Sequence, residues 1–245
     1  MSHESFEATG APDLTVVLMA YNEADSLSPV AEEIVRALEL LRGSAELLII
    51  DDGSTDGSAT IADHLETLFL PVRVIHHSVN LGLGGVYRTG FTEARGRFVT
   101  FFPADGQFPA TIIADFRQAA ESADLVLGYL PARPGSPVGR LLSALERVLY
   151  RALFGPIPRF QGVFMVRREV LGRLPLGSRG RGWGILMEMI LRIERDRYRV
   201  VSRPTPFRPR ASGRSKVTNL AAIWENLCQL FAVRSLLRAR SRQAG

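Results

Sequence analysis

Lysine is almost missing from this chain: Lys216 is the single lysine among 245 residues, so nearly all of the positive charge is arginine. Cysteine is equally scarce. Cys228 stands alone, which excludes an internal disulfide framework and fits a reducing cytosol; beside Leu227, Leu230 and Phe231 it reads as a buried, inert thiol. The four histidines, His3, His64, His76 and His77, show no spacing that suits zinc, and His76 and His77, at the end of an expected strand, read as structural. No apolar run approaches the ~20 residues that a membrane-spanning helix needs, and the polar, acidic start MSHESFEATGAPD carries no apolar export segment. The P-loop pattern is absent. The glycines of LGLGG, residues 81–85, are not spaced as a dinucleotide fingerprint and follow the third strand rather than the first, so an NAD site is excluded as well. There is no repeat of 20 to 50 residues beyond the alternation of elements described below.

What is present is a globular composition, 46% hydrophobic and 22% charged, in a length suited to one α/β domain. Its charge is unevenly divided. Residues 1–120 hold 7 Arg against 17 Asp and Glu, whereas residues 121–245 hold 22 Arg and one Lys against 8, so halves of −10 and +15 make the net +5. Such a division suits a metal or sugar site on one side and an anionic partner, nucleic acid or phospholipid, on the other; a solvated Arg-rich face is the plain alternative. The basic half has no recognition motif and few interleaved aromatics, so a nucleic-acid partner is not expected.

Along the chain, short apolar runs over residues 14–19, 47–50, 72–75, 98–102 and 124–128 read as strands and alternate with helical patterns. Ser26 is the expected cap of a helix carrying Val30, Ile34, Leu38 and Leu41, and Asp56 of one carrying Ile61, Leu65 and Leu68. Residues 80–85 read as a glycine-rich turn before a helix over 86–94, and a further helix follows Pro109 to about Glu121. Repeated βα units predict a parallel sheet with right-handed crossovers. Later come a strand over 160–166, a helix over 183–193 and a strand over 198–201. Two Arg-rich segments have helical spacing. Residues 139–155 carry Leu141, Leu145, Val148, Leu149 and Ala152 beside Arg140, Arg147 and Arg151, a pattern that suits a membrane surface or packing on the domain core. Residues 220–237, broken by Glu225, Asn226 and Gln229, end in Arg234, Arg238, Arg240 and Arg242, cations that complement a helix C-terminus and could touch lipid phosphates.

The stretch RFVTFFPADGQ, residues 97–107, organises the rest: a β-branched and aromatic strand stops at Pro103, which has no N–H for the ladder, and aims Asp105 at the edge where open α/β sheets bind ligands. A parallel sheet brings the turns AYNE (20–23), DDGS (51–54), NLGLGG (80–85) and ADGQ (104–107) to that same edge. Carboxylates gathered there, with a diphosphate, suit Mg²⁺ or Mn²⁺.

In order and spacing, VLMAYNEADSL, LLIIDDGSTDGS, NLGLGGVYRTGF, ARGRFVTFFPADGQFP, FMVRREVL and RPRASGRSKV resemble the family 2 glycosyltransferases of the GT-A fold, over about residues 14–217. Within the family the likeness is to the dolichyl-phosphate mannosyltransferase and bacterial polyprenyl-phosphate glycosyltransferase group. The resemblance implies an α/β, Rossmann-like, mostly parallel sheet flanked by helices. Its domains would be a flexible N-terminus over 1–13, the GT-A domain over 14–217, and a C-terminal amphipathic helix with a basic tail over 218–245. It further implies that Ala20, Tyr21 and Glu23 hold the nucleotide of a UDP- or GDP-sugar and that Asp52 reads its base or ribose. Ala104 and Asp105 match the last two positions of a D-x-D metal motif with Gln107 on the donor side, and Arg210 and Lys216 match phosphate-contacting residues of a closing loop.

Two positions depart from the family pattern: Pro103 replaces the first Asp of D-x-D, and Leu130 stands where many relatives carry an arginine, with Arg133 nearby. The processive signature Q-x-x-R-W is absent, so transfer of one sugar with inversion is expected. A divalent ion on Asp105, with Arg210 and Lys216, would stabilise the leaving diphosphate. A lipid phosphate acceptor is already an anion; a hydroxyl acceptor needs a base, for which Glu188 is the candidate, its plain alternative being a charge on a helix face. The expected location is cytoplasmic, with peripheral contact to the membrane. Pro103 motivates the contrasting expectation of a catalytically silent nucleotide-sugar or lipid-binding protein.

Overall fold

Period-two alternation sorts each apolar run onto the two faces of one sheet. In the computed structural model, which describes residues 10–41, 43–131, 148, 151–155, 157–160, 162–209 and 231–237, seven strands pair in the order β3-β2-β1-β4-β6-β5-β7. They are β1 Leu14–Ala20, β2 Ala45–Asp51, β3 Val72–His76, β4 Phe98–Pro103, β5 Leu125–Tyr129, β6 Phe164–Arg167 and β7 Val200–Pro204. The helices are α1 Ala24–Glu39, α2 Ser58–Leu68, α3 Gly82–Glu93, α4 Ile112–Ala120, α5 Arg168–Arg173 and α6 Gly184–Arg195. Val16, Leu18, Leu47, Ile49, Phe98 and Phe102 pack against α1, α2 and α4. Val17, Leu48, Ile50, Val99 and Phe101 face the other way, onto α3, α5 and α6. There Phe101 stacks on Phe164 at 5.3 Å and meets Tyr87 of α3 at 5.0 Å between centroids. Strands β1 and β4 are central and covered on both sides, which is why their sequences are almost continuously apolar.

The sheet is mostly parallel, as expected, with one reversal: β6 runs antiparallel to both β4 and β5. Gly128 donates its N–H to Val163 O (2.9 Å), so the chain leaves β5 and enters β6 at the same edge, and a strand entered from the edge just left must run backwards. The strand expected over 160–166 is thus shorter, and its direction was hidden because it is set by the connection. β7 is parallel to β5 again, after α5 and α6.

Helix starts shift for physical reasons. The N-cap of α1 is Glu23 rather than Ser26, which lies inside the first turn with its hydroxyl on Glu23 O and Oε2. Gly57, at φ +93°, is the N-cap of α2, although Asp56 Oδ1 still accepts from the Ser58 N–H (3.0 Å) and hydroxyl (2.6 Å). The expected turn over 80–85 is largely helix: α3 begins at Gly82, and Gly82 and Gly84 lie close against the backbone of residues 180–182. The helices expected over 139–155 and 220–237 fall mostly outside the described residues, of which 151–154 and 231–237 are helical.

Candidate active site

Strand register sets the level of every turn. Ala20 pairs with Asp51, Asp51 with His76, and Met19 with Pro103, so β1 to β4 end within about one residue of each other. The ladder runs one peptide further: the Asp52 N–H donates to Ala20 O (2.9 Å), the His77 N–H to Asp51 O (2.9 Å) and the Ala104 N–H to Met19 O (3.0 Å). Tyr21, Asp52, His77 and Ala104 therefore leave the sheet together at its carboxyl edge.

The first two turns brace one another. Asn22, at φ +52°, donates its N–H to Ser54 Oγ (2.9 Å), and its Oδ1 accepts from the Thr55 N–H (2.7 Å). The free N–H groups at the start of α1 are taken from across the gap: Glu23 N–H donates to Ser58 Oγ (2.9 Å) and Ala24 N–H to Asp56 Oδ2 (3.1 Å). Burial raises the Asp56 pKa, but the Ser58 hydroxyl and the Ala24 and Ser58 N–H groups outweigh it and hold the carboxyl below the usual range.

Asp52 is tied to α3. Its Oδ1 accepts from the Leu81 N–H (2.8 Å) and meets His77 Nδ1 (2.7 Å), and its Oδ2 accepts from the Gly82 N–H (2.8 Å). A carboxylate on the first N–H groups of a helix is favoured by the helix dipole. Asp52 thus fixes the entry of α3, a role that the position in DDGS did not disclose. Beside it, His76 bridges Asp51 (3.0 Å) and Asp63 (2.9 Å). The Asp51 hydrogen bond is the main cause of a raised His76 pKa; burial opposes it and Asp63 reinforces it. The structural reading of both histidines is thereby given content: they hold the DD pair, and the signal was the HH doublet at the end of a strand in register with DD.

Asp105 follows β4 in a turn whose Gly106 has φ +72°. It is 6% exposed, and its Oδ1 accepts from the Gln107 N–H (3.1 Å). Gln107 O in turn accepts from the Arg208 N–H (2.8 Å), so the chain after β7 crosses to this turn just ahead of Arg210 and Lys216, which lie outside the described residues. Among the described residues no group of three or more His, Cys, Asp or Glu side chains is arranged to hold a metal ion.

Glu188, the candidate base, is occupied by other bonds. It is fully buried in α6, its Oε1 accepting from Arg192 Nε (2.9 Å) and Nη2 (2.7 Å) and its Oε2 from the Gly177 (3.0 Å) and Ser178 (2.8 Å) N–H groups. Burial pushes its pKa up; the bonds from Ser178, Arg192 and Gly177 more than offset this and keep it ionised. Helical spacing placed it on α6 but could not tell an inward carboxylate from an outward one. Sequence reading also missed the segment Glu188 anchors: the Gly84 N–H donates to Arg181 O (2.7 Å), Arg88 Nη1 to Gly180 O (3.1 Å), and Arg181 Nη2 to Asn80 Oδ1 (2.6 Å). The glycines on both sides were the available signal. A Cβ on Gly84 would lie 2.0 Å from Gly180 O.

The mostly parallel mixed sheet, with loop carboxylates at its carboxyl edge, has the GT-A architecture of the solved structures it superposes on. Glucosyl-3-phosphoglycerate synthase from Mycobacterium tuberculosis, solved with UDP, superposes with a TM-score of 0.67 at 20% identity, covering 91% of this chain and 80% of its own. The same protein with Mn²⁺, UDP and glucosyl-3-phosphoglycerate gives 0.63 at 22% identity, covering 89% and 80%. At these identities the likeness is one of fold. The model of glycosyl transferase family 2 matches residues 15–174, and the chain belongs to that family. It is 29% identical over 215 residues to the dolichol-phosphate mannosyltransferase of Pyrococcus furiosus, a match covering 83% of this chain and 59% of that longer protein. It is 27% identical over 236 residues to the undecaprenyl-phosphate mannosyltransferase of Micrococcus luteus, covering 86% of this chain and 96% of the relative.

Proposed function

We propose that this chain is an inverting, non-processive glycosyltransferase that moves one sugar from a nucleotide-diphosphate sugar to a polyprenyl phosphate or another membrane-associated acceptor. The observation that carries the reading is the convergence at one sheet edge of the turns 20–23, 51–54 and 104–107, with Asp105 at the end of β4. Ala20, Tyr21 and Glu23 would line the nucleotide, Asp52 would hold the neighbouring loop in place, and Ala104 and Gln107 would flank the diphosphate. Arg210 and Lys216 would meet its phosphates.

A divalent ion fits in one specific form. With Pro103 before it, Asp105 supplies a single carboxylate, and Mg²⁺ is commonly held by one or two carboxylates plus substrate phosphates and water. When bound, Mg²⁺ or Mn²⁺ would supply a counter-charge for the departing diphosphate. Glu188 bears on the acceptor. With that carboxylate turned inward and ionised against Arg192, an acceptor that is already anionic, such as a lipid phosphate, needs no base from it. No described helix is long and apolar enough to cross a membrane. Peripheral contact at the cytoplasmic face belongs to the same proposal, on the strength of the membrane-associated acceptor.

Incubation with UDP- and GDP-sugars, Mn²⁺ and undecaprenyl phosphate should yield a glycolipid and free nucleotide diphosphate, both lost in Asp105→Asn. The Pro103 substitution favours one contrasting reading, a silent nucleotide-sugar or lipid binder. Nucleotide-sugar binding without any release of nucleotide diphosphate would select it.

A further inference from the structure

The β3–α3 connection carries three exposed apolar side chains within five residues: Val79 at 60%, Leu81 at 37% and Leu83 at 47%. Nothing in the core accounts for them, and adjacent exposed aliphatic groups are disfavoured in water. The loop holding them is braced on every side. Asp52 takes the Leu81 and Gly82 N–H groups, and Arg181 bonds to Asn80. Arg181 O accepts from the Gly84 N–H, and Arg88 bonds to Gly180 O.

Arg181, exposed, is bonded to Asn80 and lies against Gly82, between the aliphatic residues, and the exposed Arg179 lies within electrostatic reach of Arg88 of α3. Among the described residues no carboxylate forms an ion pair with Arg88, Arg179 or Arg181, a condition they share with other arginines such as Arg95, Arg168 and Arg203; what sets the three apart is that they lie close together around residues 180–181, next to an apolar stretch. Burial, and then the positive charge of Arg179, lowers the Arg88 pKa, as expected of like charges held together without a counter-ion. Aliphatic tips next to uncompensated guanidinium groups match a bilayer interface, where acyl chains accept the former and anionic headgroups the latter.

We infer that Val79, Leu81 and Leu83, with Arg179 and Arg181 beside them, form a docking surface for an anionic phospholipid bilayer, seating the carboxyl edge of the sheet and Asp105 toward the membrane. The inference rests on the membrane-associated acceptor proposed above and names the face that meets the lipid. Flotation of the full chain with phosphatidylglycerol-containing and pure phosphatidylcholine vesicles tests it, with UDP and GDP thermal shifts as a fold control. The wild type should float with the anionic vesicles and lose partitioning at 1 M salt. Arg179→Glu should weaken the partition coefficient by about fivefold or more, the order expected for removing one cation near an anionic surface, and Val79→Ser with Leu83→Ser by a comparable factor, both with nucleotide shifts unchanged. Unaltered flotation of either variant overturns the inference. So does a wild type that fails to float, or loss with Arg179→Glu alone, which is headgroup binding without insertion. Normal docking without glycolipid product would leave this surface standing and remove the proposed acceptor instead.

Discussion

Glu188→Ala is expected to lower the melting temperature by about 10 °C. The carboxylate is fully buried and bonded to Arg192 at 2.9 and 2.7 Å, so its removal leaves a guanidinium 7% exposed without its partner. Breaking a buried pair in this way costs ~3–5 kcal/mol, and in a domain of this size each kcal/mol moves the melting temperature by about 2–4 °C. The Gly177 and Ser178 N–H groups lose their acceptor as well, which frees the segment leading to Arg181. Replacing both members, Glu188→Leu with Arg192→Met, should recover much of the loss because no charge is then stranded. The pH dependence has a fixed sign. The folded pKa lies below the ordinary 4.5, so the stabilisation is complete above that value and disappears as pH falls through the folded pKa. The wild type should therefore lose stability on acidification below about pH 4.5, and Glu188→Ala should lose less over the same range. Melting curves across pH with transfer kinetics on the same samples form the assay. A Glu188→Gln protein with an unchanged melting curve and a kcat lowered by about 10²–10⁴ would refute the reasoning, since that is the signature of a general base.

Asp105→Asn should reduce turnover by at least about 10²-fold, in the range of losing one electrostatic contact to the transition state, with the melting temperature in the absence of ligand nearly unchanged; activity within a few-fold of wild type would remove Asp105 from the site. Gly84→Ala should destabilise by about 1–3 kcal/mol through overpacking, because its Cβ would meet backbone at 2.0 Å, whereas Gly172→Ala in α5, with nothing within 4 Å, should be neutral or stabilising; equal melting shifts would contradict the close α3 contact. His76 has a raised pKa, so its contribution to stability is fully present below the ordinary 6.5 and is lost as pH rises through the folded value. His76→Gln should flatten the decline in melting temperature from pH 6 toward pH 8.5, and an unaltered slope would show that the Asp51 and Asp63 contacts do not titrate there.

Much of the fold was readable because β1, β2 and β4 are buried on both faces and so have little freedom of composition: Val16 to Leu18, Leu47 to Ile50 and Val99 to Phe102 are strands in the sequence and in the molecule. Strand direction is another matter, being set by where a connection returns the chain, and nothing within Phe164–Arg167 encodes it. Glycine misled at α3, since residues chosen for close packing on 180–182 look like residues chosen for a turn. In the site, the level of Asp105, Asp52 and Tyr21 at one edge was legible from βα alternation. The partners were not. That Asp52 faces the α3 N–H groups depends on backbone donors 29 and 30 residues away, and that Glu188 faces Arg192 depends on which side of a helix is covered.

The bonds joining Asn22 to Ser54 and Thr55, Glu23 to Ser58, and Ala24 to Asp56 have a consequence for how the protein can change. Two turns that clasp each other already have the shape a ligand would otherwise have to impose, so little ordering entropy is lost there on binding. The same clasp limits adaptation. A new ligand preference at this end of the edge would have to arise by exchanging side chains on an unmoved frame, and any exchange at Asn22, Ser54, Asp56 or Ser58 would loosen the frame itself.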